Sequence, residues 1–250
     1  MKNTGNILTK LFFLLTCIFF LTAVQGQEVE ATEYSTEEPV LQRVYMIEGG
    51  GLIQFPKNAF ARNIDHALYG VNITGLVQVV KAKPLFAGFG VNFSTVGSFN
   101  SPVIRQIDFG QLEEWDSRTG SRIVGFSLFG RYFLDLGSSS FMPFLELQFG
   151  SNIFYTSTNL TFPGGDESTT FFESSDWIGT YGGGGGFSVA VSDRVYLTTK
   201  VNILIGQSGE YYVKERDFLE NALSTTIEAF DLKQTSTDMI AWNIGLTYTF

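Results

Sequence analysis

The 250-residue chain has one cysteine and one histidine. Cys17 lies in an apolar N-terminal stretch read below as a leader. Once that leader is removed the chain has no thiol, which excludes disulfides, zinc–thiolate sites and cysteine nucleophiles. Basic residues are also scarce: 16 Lys and Arg face 25 Asp and Glu, a formal net charge of −9. Without a basic patch, and with the wrong overall sign, nucleic acid is not an expected partner. Beyond residue 26 no apolar run reaches the roughly 18 residues that a spanning helix needs. A helical membrane protein is therefore excluded too.

What is present fits none of the ordinary soluble classes well. Hydrophobic residues make up 44% of the chain, with 27 Gly and 25 Phe, which is unusual for a soluble domain without disulfides. Lys2 and Lys10 precede the apolar core Leu11 to Leu21 (LFFLLTCIFFL), and Thr22-Ala23-Val24-Gln25-Gly26 supplies a cleavage site before Gln27. This pattern reads as a secretory signal peptide over 1–26, so the mature charge is −11 after the two lysines leave. Residues 27–42 (QEVEATEYSTEEPVLQ) read as a disordered acidic tail, and 43–250 as the folded domain.

From Arg43 onward the hydrophobic period is two. Eight strand-like segments are expected, at about 43–55, 67–80, 85–96, 122–134, 141–155, 177–191, 194–206 and 238–250. Short connections follow segments two, four and six, and long ones follow one, three, five and seven. Tight turns at one end with long loops at the other describe an up-and-down meander whose two ends differ.

The two faces of each segment differ in bulk. In the last one Ile240, Trp242, Ile244, Leu246, Tyr248 and Phe250 share a side, opposite Ala241, Asn243, Gly245, Thr247 and Thr249. In segment seven Val195, Leu197, Val201, Ile203 and Ile205 oppose Tyr196, Thr198, Lys200 and Asn202. An eight-stranded barrel encloses only enough room for side chains to fill. Small and polar residues suit that lumen, so the bulky face is expected to look outward into lipid. Tyr45, Tyr132, Tyr248 and Phe250 at the short-turn end, and Phe55, Tyr69, Tyr155 and Trp177 at the loop end, would form the two aromatic girdles.

These residues carry a resemblance. A leader, eight alternating strands and the terminal Tyr248-Thr249-Phe250 resemble the small outer-membrane barrels of the OmpA transmembrane-domain and OmpX type. The Gly- and Phe-rich style is similar to barrel proteins of the Bacteroidota. The resemblance implies an all-β fold: an eight-stranded antiparallel up-and-down transmembrane β-barrel with short periplasmic turns and long extracellular loops. It also implies export through the Sec pathway, and a C-terminal signal, Tyr248 and Phe250, read by the barrel-assembly machinery. Outer-membrane lipid and lipopolysaccharide would surround it, and an extracellular or envelope protein could be a further partner. No periplasmic peptidoglycan-binding domain is expected after Phe250.

Four charges fall on the small-residue face: Glu48, Arg131, Glu146 and Lys200. Arg131 and Glu146 flank one tight turn, and two positive and two negative groups at similar depth would neutralise one another in a confined lumen. The expected result is a salt-bridged plug; a gated or proton-conducting path is the alternative. The run Gly182–Gly186 lacks the Lys-Ser/Thr and the helix of a phosphate loop. In a strand such glycines permit curvature or close approach, as do Gly49–Gly51.

His66 begins segment two at the loop rim, with Asp65 beside it and Asp108 in a loop. No spacing supports catalysis, so catalytic, cofactor and metal residues are expected to be absent, acidic loop clusters included, because no D-x-D-x-D-G spacing occurs. The sequons at Asn72, Asn92 and Asn159 are composition noise. In the last long loop Phe218, Leu219, Ala222, Leu223, Ile227 and Phe230 recur at helical spacing after a capping-box-like start at Asp217, predicting an amphipathic helix over about 217–231. Function is expected to be non-enzymatic, in membrane integrity or surface contact through long acidic loops. Two other readings remain open: a lipid-modifying barrel enzyme using His66, and a small channel or PorT-like secretion helper.

Overall fold

The computed structural model describes residues 44–81, 83–106, 112–134, 140–161, 168–215 and 226–250. The expected leader and acidic tail lie outside them. Alternating sequence becomes strand throughout: β1 (Tyr45–Pro56), β2 (Leu68–Gln78), β3 (Leu85–Gln106), β4 (Leu112–Phe133), β5 (Phe141–Thr161), β6 (Ser168–Ala190), β7 (Val195–Gly206), β8 (Ser208–Lys214), β9 (Phe230–Ser236) and β10 (Met239–Thr249). A one-and-a-half-turn helix, α1 (Asn58–Asn63), joins β1 to β2, and a 3₁₀ turn spans Thr226–Ala229. Eight strands close an antiparallel barrel in the order β1-β10-β7-β6-β5-β4-β3-β2, while β8 and β9 form a separate ribbon.

Register fixes the barrel's geometry. From Ile53, paired residues lead through Tyr69, Thr95, Arg122 and Tyr155 to Ser175 on β6. In the other direction they lead through Trp242 and Val201 to Gly185, ten residues further along β6. With strands about 4.8 Å apart and rising about 3.3 Å per residue, that shear tilts eight strands by about 40°. Each residue then climbs about 2.5 Å along the axis. The 11 or 12 residues of β1, β2, β7 and β10 therefore span roughly 27–30 Å, close to a bilayer's hydrocarbon thickness.

The other four strands are almost twice as long, at 21 to 23 residues. They project about 25 Å beyond the short ones as a curved sheet. This corrects the expected loops 97–121 and 156–176, most of which are strand. Above the band the chain is rich in Ser, Thr and Asn on both faces. Backbone pairing and the β-branched threonines sustain the strand while the apolar–polar contrast that marks it in the sequence fades. The β3–β4 pairing continues as far as Gln106 and Leu112.

Side-chain orientation follows the parity read from the sequence. Trp242, Ile244, Leu246 and Tyr248 are exposed on the outside of β10, while Ala241, Asn243 and Thr247 are buried. The lumen is not only small and polar, however. From the turn end upward it holds an apolar floor of Met46, Leu76, Phe86, Phe129, Phe133 and Phe144. Next come the four charges, and above them a layer of amides and hydroxyls. A second apolar cluster lies at the loop end, where Leu52, Leu68, Ile123, Phe154 and Ile178 meet Phe60 of α1 and Tyr211 and Val213 of β8. The expectation of a lumen without bulk is corrected at both ends.

Glycine makes this filling possible where backbones approach. A Cβ on Gly184 would collide with the Val201 carbonyl oxygen, and one on Gly50 with that of Ile244. Gly50 faces Gly245, which meets the same obstacle in the Gly49 carbonyl. At both seams, β6–β7 and β1–β10, only a residue without a side chain fits.

Candidate functional site

The four charges named from the sequence converge in one layer of the lumen. Arg131 Nη1 donates to Glu48 Oε2 at 2.8 Å, while Nη2 and Nε both donate to Glu146 Oε2, at 2.7 and 2.9 Å. Lys200 Nζ lies 3.0 Å from Glu48 Oε1 and 3.5 Å from Glu146 Oε1. Asn202 Nδ2 donates to Glu146 Oε1 at 3.0 Å and to Gln148 Oε1 at 3.1 Å. Every carboxylate oxygen in the layer thus has a cationic partner, and the four side chains are buried.

Aromatic rings complete the enclosure. The Arg131 guanidinium carbon sits 4.1 Å from the centroid of Phe144, with Phe129 and Phe133 also within cation–π range; Lys200 Nζ is 5.3 Å from the Phe129 ring. Gly88 leaves the space that the Phe129 ring occupies. Chemically the layer is saturated. It has no free carboxylate to accept a substrate proton and no unpaired cation to draw an anion. Asn202 was placed on the same face as Lys200 but not joined to the charges, and the floor residues were missed; yet the signal was there, since Phe129, Arg131 and Phe133 share one parity, as do Phe144, Glu146 and Gln148.

Above the charges lies a cavity of about 40 Å³, lined in part by Gln54, Asn72, Asn92, Ser127, Asn202 and Asn243. The Oδ1 atoms of Asn72, Asn92 and Asn202 are buried without a protein partner. The space suits roughly three waters, whose hydrogens would satisfy those oxygens.

The remaining sequence candidates do not join this layer. His66 is exposed at the rim; its Nε2 is 3.0 Å from the Val96 carbonyl oxygen and its Nδ1 is 3.5 Å from Asp65. Asp108 lies outside the described residues. So do Phe218, Leu219, Ala222 and Leu223 of the expected helix. The described part of that stretch corrects the prediction: Ile227 belongs to a single 3₁₀ turn, and Phe230 begins β9, where it is buried. The reason is the partner strand. Glu210-Tyr211-Tyr212-Val213 is aromatic and β-branched, and it pairs with residues 231–234 along β9.

The ribbon is anchored into the mouth rather than lying over it. Tyr211 stacks edge-on against Phe60, with centroids 5.2 Å apart, and its hydroxyl meets Thr235 Oγ1 and Asn63 Nδ2. Thr226 Oγ1 lies 2.6 Å from Ser117 Oγ and 2.7 Å from Thr119 Oγ1 on the projecting sheet. At the opposite end Tyr248 and Phe250 pack edge-to-face on the outside, and the Phe250 N–H donates to the Tyr45 carbonyl, drawing the last residue against β1.

No protein-family model and no curated protein matches this sequence. Solved structures similar to it include a major outer membrane protein from Thermus thermophilus, 14% identical with a TM-score of 0.45, aligned over 84% of this chain and 100% of that one. Another is Ail, the attachment invasion locus protein of Yersinia pestis, solved with the heparin analogue sucrose octasulfate: 10% identity, TM-score 0.44, coverage 84% and 99%. A third is the outer membrane protease OmpT of Escherichia coli: 12% identity, TM-score 0.34, coverage 86% and 99%.

Proposed function

We propose that this chain spans a bacterial outer membrane as a closed, non-enzymatic barrel, and acts in membrane integrity or surface contact through its projecting sheet. The observation that carries the reading is the outward belt. Ile47, Val71, Ile73, Phe89, Leu145, Leu147, Phe149, Val201, Ile203, Ile244 and Leu246, among others, are exposed around the whole circumference. A soluble monomer rarely exposes more than a few hundred Å² of contiguous apolar surface. Lipid removes that penalty, and closure of the ring leaves no strand edge unpaired within it.

Polar groups on the belt support the same reading. Trp242 Nε1 donates to Thr199 Oγ1 at 2.9 Å, and that hydroxyl donates to the Asn243 carbonyl at 3.1 Å. Both outward polar side chains are satisfied without water, as hydrocarbon requires. Aromatic floor, saturated charge layer and apolar cap stack along the axis, and that favours a non-conducting lumen over a channel. A lipid-modifying enzyme would need room for an acyl chain beside His66. The lumen cavity holds only a few waters, and His66 is not among its lining residues. On this reading Tyr248 and Phe250 serve as the assembly signal, and surface contact falls to the polar and acidic outer face above the belt, where Glu114, Asp116 and Glu173 are exposed.

The test is to refold the chain into lipid and measure two things together. Heat-modifiable gel migration with no single-channel conductance in a planar bilayer is the expected result. Migration unchanged by boiling removes the membrane barrel, and steady conductance removes the closed lumen.

A further inference from the structure

The outward face of β4 changes character in a fixed order as it climbs. Leu128, Phe126 and Val124 come first, then Arg122, Gly120 and Arg118, and then Asp116 and Glu114. Arg122 lies in the register row through Tyr69 and Thr95, at the upper end of β2. Val124 is the last apolar residue below it on this face, so Arg122 stands where the apolar belt stops. Its guanidinium carbon is 6.0 Å from the ring centroid of Tyr155, the paired residue on β5. The same guanidinium lies over Gly120, with Nη2 3.5 Å from where a Cβ would sit. The side chain thus runs up the strand, away from the hydrocarbon and toward Arg118.

Among the described residues neither arginine makes an ion pair, although the chain has a formal charge of −9. The acidic residues of this face, Asp116 and Glu114, lie beyond Arg118, further from the belt. Arg122 at the belt's edge, with Arg118 about 10 Å above it on the same face and carboxylates beyond, matches negative charge held just outside the hydrocarbon. The geometry points to a site for the phosphate of an outer-leaflet lipid, held by Arg122 and Arg118. The guanidinium fork suits the bidentate geometry of a phosphate. Tyr155 fixes Arg122 from the side, and Trp177, exposed on β6 at the same rim, offers an indole to the head-group region. Because Arg122 meets lipid only if the belt does, the site stands on the bilayer-spanning reading.

The test uses the full refolded chain in maltoside micelles, where the detergent supplies no phosphate. Bisphosphorylated lipid A and its dephosphorylated form are titrated separately, and retained lipid is counted by native mass spectrometry; inorganic phosphate is a third arm. The site predicts preferential retention of the phosphorylated lipid. Arg122→Gln with Arg118→Gln should weaken that retention about tenfold or more, Arg122→Lys should weaken it less, and Arg194→Gln at the opposite end should leave it unchanged. Equal retention of the two lipids, no effect of the double substitution, or equal binding of inorganic phosphate overturns the proposal. Each variant is also run heated and unheated on a gel. A retained mobility shift alongside lost preference disproves the site alone, whereas loss of the shift in the unsubstituted chain disproves the bilayer-spanning reading.

Discussion

Replacing Arg131 with Met keeps the bulk of the side chain and removes one charge from a neutral quartet. The structure says what is left behind. Glu48 loses its 2.8 Å partner and Glu146 loses both the 2.7 and 2.9 Å contacts. Lys200 alone then faces two buried carboxylates, at 3.0 and 3.5 Å. Removing one member of a buried ionic pair costs about 3–5 kcal/mol, chiefly because the abandoned charge stays out of water. Lys200→Met should cost less, about 1–3 kcal/mol, since Arg131 still engages both carboxylates. Adding Glu146→Gln to Arg131→Met restores neutrality by leaving the Lys200–Glu48 pair, and should recover about 2 kcal/mol. Urea-dependent unfolding in lipid vesicles, followed by tryptophan fluorescence and the heat-sensitive band, measures all three. A loss under about 1 kcal/mol for Arg131→Met, or no recovery from the second substitution, would refute the view that the layer is a desolvated, mutually dependent network.

Other consequences are sharper in sign than in size. Gly184→Val drives a side chain into the Val201 carbonyl and should abolish refolding, while Gly75→Ala, where a Cβ meets nothing within 4 Å, should change stability by less than about 0.5 kcal/mol; refolding yield separates them. Thr199→Val strands the Trp242 indole N–H in hydrocarbon and should cost about 1 kcal/mol in the same vesicle assay. Tyr211→Ala empties a packed position against Phe60 and Phe154. It should expose the β8–β9 ribbon to protease while the heat-modifiable band persists, because the ribbon contributes no strand to the ring.

Parity was the most legible feature of the sequence. Wherever an apolar face looks outward and a small, polar one lines the lumen, alternation assigned the side chains correctly, and the four lumen charges were found together for that reason. The floor was hidden because Phe129, Phe133 and Phe144 share the inward parity with glycine and arginine, while the lumen was expected to hold only small and polar residues. The projecting sheet was hidden for a different cause: once both faces of a strand are polar, hydrogen-bonded pairing no longer leaves a hydrophobic trace. Residues 226–231, the described part of the expected helix, misled through coincidence, since Ile227 and Phe230 are spaced as on a helix yet belong to a 3₁₀ turn and the strand that follows it. Only the long-range partner, β8, decides between the two.

The most direct test of the inside-out arrangement uses the chain's three tryptophans, retained one at a time by Phe substitution and quenched by spin labels placed at different depths on the lipid chains. Trp242, exposed within the belt as the fourth residue from the loop end of β10, should be quenched strongly by labels buried along the lipid chains, and Trp177 by one near the head groups. Trp242 fluorescence that ignores every lipid-borne label but yields to aqueous acrylamide would contradict the account.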